Sequence, residues 1–254
     1  MGVEFDSCTR SQAVDFVSDQ LSLRRGGCIL TANLHHMRTL SRDGEARAYA
    51  AGADLVVPDG MPLLWAGRLQ RTPFPERVAG SDMIWDLSAG MARSGRSVLV
   101  LGGAPGVAAR AADVLRRRHS GLRIAGSHSP PWGFTGSADE VTQIGRVIAE
   151  CDPDLVLVGL PFPVQERLID ALVCDFPAVW FAGLGASLSF VSGDVPRAPR
   201  WMQTVGLEWV HRLMLDPRRM ARRYLVEGLP FLPRLVASAL RHRGSPKLTS
   251  APGR

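Results

Sequence analysis

The 254-residue sequence has only four cysteines, Cys8, Cys28, Cys151 and Cys174, with no CxxC pair and no histidine companion at a metal-ligand spacing. Neither a zinc site nor a disulfide framework is indicated, and a reducing cytoplasm is the expected setting. Uncharged apolar runs of bilayer-spanning length are missing. The opening MGVEFDSCTR has acids where a signal peptide would carry positive charge and an apolar core. The expectation is a chain that is soluble or lies on a membrane rather than through it. The GxGxxG dinucleotide fingerprint and the GxSxG nucleophile elbow are also lacking, since Ser187 and Ser189 sit in GASLSF without a second glycine. His35 and His36 are adjacent, so on a helix they point about 100° apart and do not share a metal as i, i+4 histidines do.

What is present is a chain that is 46% hydrophobic, enough for a full core, in which helical periodicity alternates with short apolar runs. Strands are predicted at 27–33, 54–60, 97–103, 122–127, 154–161 and 178–185, and helices at 12–23, 35–51, 81–94, 107–119, 138–150 and 164–175. This is the pattern of an α/β fold, Rossmann-like, with a largely parallel sheet and helices on both faces. After Gly193 the texture changes. Ten arginines lie between Arg197 and Arg243 against three acids, Glu208, Asp216 and Glu227, a larger excess than the +6 of the whole chain. Trp201, Trp209, Tyr224, Leu225 and Phe231 are interleaved with them. Such a segment reads either as an interfacial membrane element or as a helical pair packed on the core with a solvated arginine face. The expected organisation is an α/β domain over 1–195, a basic helical appendage over 196–243 and a disordered tail over 244–254.

Within this frame the stretch LVVPDGM places Asp59 where a buried strand stops. Val56 and Val57 favour a strand, Pro58 removes a ladder donor, and Gly60 lets the chain turn. The carboxyl edge of an open α/β sheet is where ligands bind, so Asp59 suits a catalytic or ligand-orienting acid, although a turn aspartate bonding its own backbone has the same local sequence. LVLGGAPGVAARAADVL sets Gly102, Gly103 and Gly106 between strand and helix, where backbone N–H groups can receive a phosphate. The next strand, LRIAGSHS, ends without the acid that would hold a dinucleotide ribose, which disfavours a Rossmann-like oxidoreductase. Asp152-Pro-Asp154 has the DxD form of a cation site, but it precedes a strand, at the amino edge of the sheet, and reads as a helix-to-strand turn. Gln165 and Glu166 follow a strand at the carboxyl edge and could pair with a base or sugar hydroxyls; Glu166 is equally explained as a first-turn helix acid.

The order of these pieces is more specific than any one of them. Thr31-Ala-Asn33, Pro58-Asp59-Gly60, Arg77-Val-Ala-Gly80-Ser-Asp82, Leu101-Gly102-Gly103, Pro163-Val-Gln165-Glu166, Gly183-Leu-Gly185, Arg197-Ala-Pro199, and then Gly206-Leu-Glu208-Trp209 with Arg212 and Asp216-Pro-Arg218, resemble the WecG/TagA/CpsF family of glycosyltransferases over about residues 25–225. The resemblance implies an inverting transfer of a sugar, in several members N-acetylmannosamine from its UDP donor, onto a polyprenyl-diphosphate-linked saccharide at the inner membrane face. It implies that Asp59 is the base that deprotonates the acceptor hydroxyl, and that Thr31 and Asn33 contact substrate hydroxyls. Arg77, Gly102, Gly103, Gln165, Glu166 and Gly183 would shape the nucleotide-sugar pocket, with Arg212, Arg218 and Arg222 clamping the diphosphate.

No metal or other cofactor is expected, and no nucleic acid; an anionic membrane surface is the further expected partner, and homo-oligomerisation stays open. Two positions depart from the family pattern. Val164 stands where a lysine is common, and Ser189 where an aspartate is, so a glucose, N-acetylmannosamine or uronic acid donor remains open. A non-catalytic membrane scaffold, the other rival, would carry the same basic segment but tolerate loss of Asp59.

Overall fold

The computed structural model describes residues 3–244 and the backbone of Leu248–Thr249. Eight strands run in chain order as β1 (Phe5–Asp6), β2 (Gly27–Ala32), β3 (Leu55–Pro58), β4 (Ser97–Gly102), β5 (Arg123–His128), β6 (Leu155–Gly159), β7 (Trp180–Gly183) and β8 (Leu248–Thr249). Six of them form one sheet in the order β3-β2-β7-β6-β4-β5, with every neighbouring pair parallel. A parallel sheet is covered on both faces, so its strands are continuous apolar runs with alternate residues going to opposite sides. In β4, Val98 and Val100 point into one core, and Leu99 and Leu101 into the other.

The first core is closed by α1 (Arg10–Ser22), α5 (Gly80–Ser94), α6 (Val107–Arg118) and α9 (Ser187–Ser192), through side chains such as Val14, Leu87, Leu115 and Leu188. The second is closed by α2 (Leu34–Leu40), α3 (Gly44–Gly52), α4 (Met61–Gln70), α7 (Ala138–Cys151) and α8 (Val164–Val173), through Met37, Tyr49, Leu63, Ile144 and Leu168. The α/β class with helices on both faces, read from the sequence, is the architecture observed.

Three local readings are corrected. The single helix expected over 35–51 is two: one ends at Leu40 with Ser41 as its cap, and Asp43 caps the next, its carboxylate accepting from the N–H groups of Glu45 at 2.9 Å and Ala46 at 3.2 Å. Helix α4 was not foreseen. It starts directly after the Pro58-Asp59-Gly60 turn with Pro62 in its first turn, where a missing N–H costs nothing. The basic segment is not a helical pair but a chain of short pieces: α10 (Arg200–Thr204), α11 (Glu208–Leu215), α12 (Pro217–Ala221), a π-helical turn over Arg222–Gly228, a 3-10 turn over Leu229–Phe231, and α13 (Leu232–Arg241). Met202, Met220, Phe231 and Leu235 anchor these pieces through buried side chains, and α13 packs along α4. Most of the tail over 244–254 lies outside the described residues; of it, Leu248–Thr249 pairs in parallel with Phe5–Asp6.

Candidate active site at the carboxyl edge of the sheet

Strand β4 continues to β5 on one side and β6 continues to β7 on the other, so adjacent connections diverge between β4 and β6, the switch point at which open α/β sheets bind ligands. Gly102 and Gly103 stand there. Both have positive φ, +121° and +72°, and a Cβ on Gly102 would meet the Gly159 carbonyl oxygen at 2.5 Å. The Gly103 N–H donates to that same oxygen at 2.9 Å. After β5 comes Ser129, whose hydroxyl donates to the Gly102 carbonyl and accepts from the Ala108 N–H in the first turn of α6. The position where a dinucleotide site would put a ribose acid is thus occupied by a residue tying the loop down.

On β3, the edge strand three places beyond β6, the backbone N–H of Asp59 donates to the Ala32 carbonyl at 2.8 Å, which sets the aspartate at the strand's carboxyl end, with the following Gly60 next to Asn33. Asp59 keeps partial access to solvent, yet its surroundings are crowded with charge. Burial pushes its carboxyl up to about 7. Arg212 and Arg77 pull it down, and Glu208 and Asp82 push it further up. Neither guanidinium pairs with Asp59. Arg77 is held by Asp82 and Glu208, both at 3.5 Å, and Arg212 by Glu208 at 3.0 Å while it stacks over the Phe190 ring at 4.8 Å. Burial alone would lower the Arg212 pKa, but the adjacent acids, Glu208 foremost, leave it raised, so it stays charged. Arg197 completes the network with a 2.6 Å bond to Asp82.

The π-helical turn adds a residue that the sequence did not single out. Arg223 is half-buried beside Asp59 and Arg212, and among the described residues no carboxylate pairs with it. Burial, then the charge of Arg212, lower its pKa against the pull of Tyr224 and Asp59. Arg222, one residue earlier, points outward with its side chain 81% exposed and reaches Glu227 at 3.5 Å; Arg218 is also exposed. Of the three arginines expected to clamp a diphosphate, the structure therefore brings only Arg212 to Asp59. The signal that could have found Arg223 is the π-helical turn itself, which shifts the inward face by one residue and has no mark in the composition.

The remaining expected site residues form a buried cluster between β2, β7 and α8. The Thr31 hydroxyl donates to the Gly183 carbonyl at 2.9 Å, and Gly183 leaves room for Gln165, whose amide nitrogen a Cβ would meet at 2.7 Å. The Gln165 side-chain oxygen accepts from the Gly185 N–H at 2.9 Å, joining the loops after β6 and β7. Its amide donates to Glu166 at 3.0 Å, and Glu166 also faces His36 at 3.4 Å. The second Glu166 carboxylate oxygen is buried without a partner. Asn33 caps α2 by accepting from the N–H groups of His35 and His36.

The Asp152-Pro-Asp154 pair sits at the opposite edge. Asp154 is bonded to Arg96 at 2.9 Å and to the Ser97 backbone N–H at 2.7 Å, and Asp152 ends α7 in a left-handed conformation. Among the described residues no group of three or more His, Cys, Asp or Glu side chains is placed to hold a metal ion, and no helix is long and apolar enough to cross a membrane.

Comparison with known proteins fits this edge. The family model described as "Glycosyl transferase WecG/TagA/CpsF family" matches residues 1–245. A Bacillus spizizenii protein named N-acetylglucosaminyldiphosphoundecaprenol N-acetyl-beta-D-mannosaminyltransferase is 30% identical over 236 residues, covering 91% of this chain and 87% of its own. A Bacillus subtilis protein of the same name is 28% identical over 197 residues, covering 78% and 75%. With a parallel α/β sheet, an acid at the end of β3 and arginines from the C-terminal segment folded over it, the chain belongs to the WecG/TagA/CpsF family of glycosyl transferases.

Proposed function

We propose that the protein transfers a sugar from a UDP donor onto a polyprenyl-diphosphate-linked saccharide, with inversion at the anomeric carbon. The observation that carries this reading is Asp59, an acid at the ligand edge whose surroundings raise it to about 7. A base poised near neutrality takes a proton from a hydroxyl more effectively than an ordinary aspartate does. In the step envisaged, Asp59 accepts the proton of the acceptor hydroxyl as that oxygen attacks the anomeric carbon. The bond from that carbon to the donor diphosphate breaks, and UDP leaves with the electron pair. Arg212 and Arg223, with which no carboxylate pairs among the described residues, lie where they can offset the charge gathering on the diphosphate, and the Gly102-Gly103 turn leaves the backbone free to approach a phosphate.

Thr31 and Asn33 border the acceptor side, while Gln165, Glu166 and Gly183 border the donor sugar. Val164 heads α8 beside them and Ser189 lies on α9, both partly exposed. The acceptor belongs to a membrane, and the exposed arginines of the C-terminal segment suit the inner, anionic face. The test is a screen of UDP-N-acetylmannosamine, UDP-glucose and a UDP-uronic acid against a short-chain lipid-diphosphate saccharide, with UDP release as readout and the product anomer assigned by NMR. Transfer from one donor with inversion supports the reading. No UDP release with any of them, or retention of configuration, overturns it.

A further inference from the structure

Asp59 lies beside two half-buried guanidiniums and pairs with neither. Opposite charges that feel each other in a partly desolvated site should draw together unless something else holds them. The holder is visible. Glu208, the first residue of α11, is buried, and its two carboxylate oxygens point to different arginines: Oε1 accepts from Arg212 Nη2 at 3.0 Å, and Oε2 lies 3.5 Å from Arg77 Nη1. Arg77 comes from the loop before α5, in the α/β core, whereas Arg212 and Glu208 belong to the C-terminal segment.

We propose that Glu208 is a positioning residue: by clasping Arg77 with one oxygen and Arg212 with the other, it docks the C-terminal segment onto the core and keeps both guanidiniums from pairing with Asp59. It deepens the reading of Asp59 as the base. An aspartate in a direct salt bridge is a poor base, because the partner cation stabilises the charged form. With Glu208 in place, Arg77 and Arg212 stay near enough to attract anionic substrate groups while Asp59 keeps its affinity for a proton.

The charged groups around Asp59 come from four elements: Arg77 from its loop, Asp82 from α5, Glu208 and Arg212 from α11, and Arg223 from the π-helical turn. Asp82 is already shared among Arg77, Arg197 and Arg10, so it cannot replace Glu208 as the counter-ion of Arg212. In Glu208→Gln the shape is kept and the charge removed. Arg77 and Arg212 then turn to Asp59, and its titration midpoint falls by about one to three pH units.

This is read without any sugar donor, by carboxyl-carbon NMR of protein labelled with 13C-aspartate, the Asp59 resonance being assigned by its loss in Asp59→Asn. Losing the Glu208 charge lowers the midpoint by itself, so a double-mutant cycle with Arg212→Gln decides. Arg212→Gln must raise the midpoint more in the Glu208→Gln background, where Arg212 pairs with Asp59, than in the wild type, and an equal or smaller rise overturns the inference. Should Glu208→Gln fail to fold, Arg77→Gln provides the converse. One Glu208 oxygen is then left without its cation, and the Asp59 midpoint must rise; an unmoved or lower midpoint overturns the proposal. A failed donor screen would discard the sugar chemistry and leave these titrations standing.

Discussion

Arg222 and Arg223 are neighbours in the chain and opposites in environment. The Arg222 guanidinium is out in solvent beside Glu227, while Arg223 is half-buried next to Asp59 and Arg212 with no carboxylate partner among the described residues. A half-buried cation without a counter-ion is costly unless a ligand supplies the anion. Arg223→Ala is therefore expected to lower kcat/KM roughly 10- to 100-fold, the range of a lost hydrogen bond to a charged group, whereas Arg222→Ala stays within about twofold. Steady-state kinetics of the two variants side by side decide it. Equal losses would return Arg222 to the site.

The raised carboxyl of Asp59 makes two measurements move in opposite directions. As base it must be deprotonated, so kcat/KM should climb with pH and level off above about 7, with about a tenfold deficit one unit below that midpoint. Asp59→Asn should lose roughly 100-fold or more in turnover above about pH 7, with the gap closing at lower pH as the wild-type carboxyl takes up its proton. Stability runs the other way. The folded carboxyl holds its proton more tightly than the unfolded one at its ordinary 3.8, so between about 4 and about 7 the folded state binds more protons and stability falls as pH rises. Asp59→Asn removes that loss and should melt above the wild type at pH 8, with the advantage gone near pH 4. A variant that is active, or that melts lower at pH 8, contradicts the assignment.

The strands were legible because a fully buried parallel strand is a short continuous apolar run, and VLVL and LVLV have no other comfortable place in a chain of this length. The helix over 35–51 was misread as one because its apolar spacing runs on through a break made by one capping aspartate, Asp43. Helix α4 was hidden behind a proline and a glycine that look like the end of order rather than the start of a helix. Position along the sheet made Asp59 readable as an edge residue, but not its choice over an ordinary turn aspartate. That choice depends on Arg77 and on the Glu208–Arg212 pair of α11, which lie far apart in the chain and meet only when the C-terminal segment folds back. Arg223 was invisible for a similar reason, since composition counts arginines and cannot say which one a π-helical turn directs inward.

The Asp152-Pro-Asp154 pair gives a sharp test of metal use. Asp154 bridges Arg96 and Ser97 at the amino edge, so it has a structural task far from Asp59. Asp154→Asn should lower the melting temperature by about 3–8 °C, the effect of one or two lost charge-assisted hydrogen bonds in a domain of this size, with kcat nearly kept. Turnover should also survive chelation by EDTA. Loss of activity in EDTA that magnesium or manganese restores, together with a collapse of kcat in Asp154→Asn, would put a cation there after all.

The C-terminal segment carries two kinds of surface. Arg218, Arg219 and Arg222 are exposed cations, and Met214, Leu225, Val226 and Leu229 are exposed apolar side chains on the same run of short helical pieces. Against an anionic membrane the cations should each contribute about 1 kcal/mol that salt screens, and the apolar groups a part that salt does not. Deleting the segment would not separate these effects, because Met202, Met220, Phe231 and Leu235 are buried and their loss would damage the fold. Surface substitutions do separate them. Arg218→Glu combined with Arg219→Glu should abolish most binding to phosphatidylglycerol vesicles at low salt, while Leu225→Ser combined with Val226→Ser should remove the part that persists at high salt. Both variants should keep wild-type transfer to a water-soluble acceptor, since none of the four residues reaches Asp59. Vesicle co-sedimentation across a salt series reads the two parts directly. Wild-type binding by both variants would mean that the membrane face lies elsewhere on the protein.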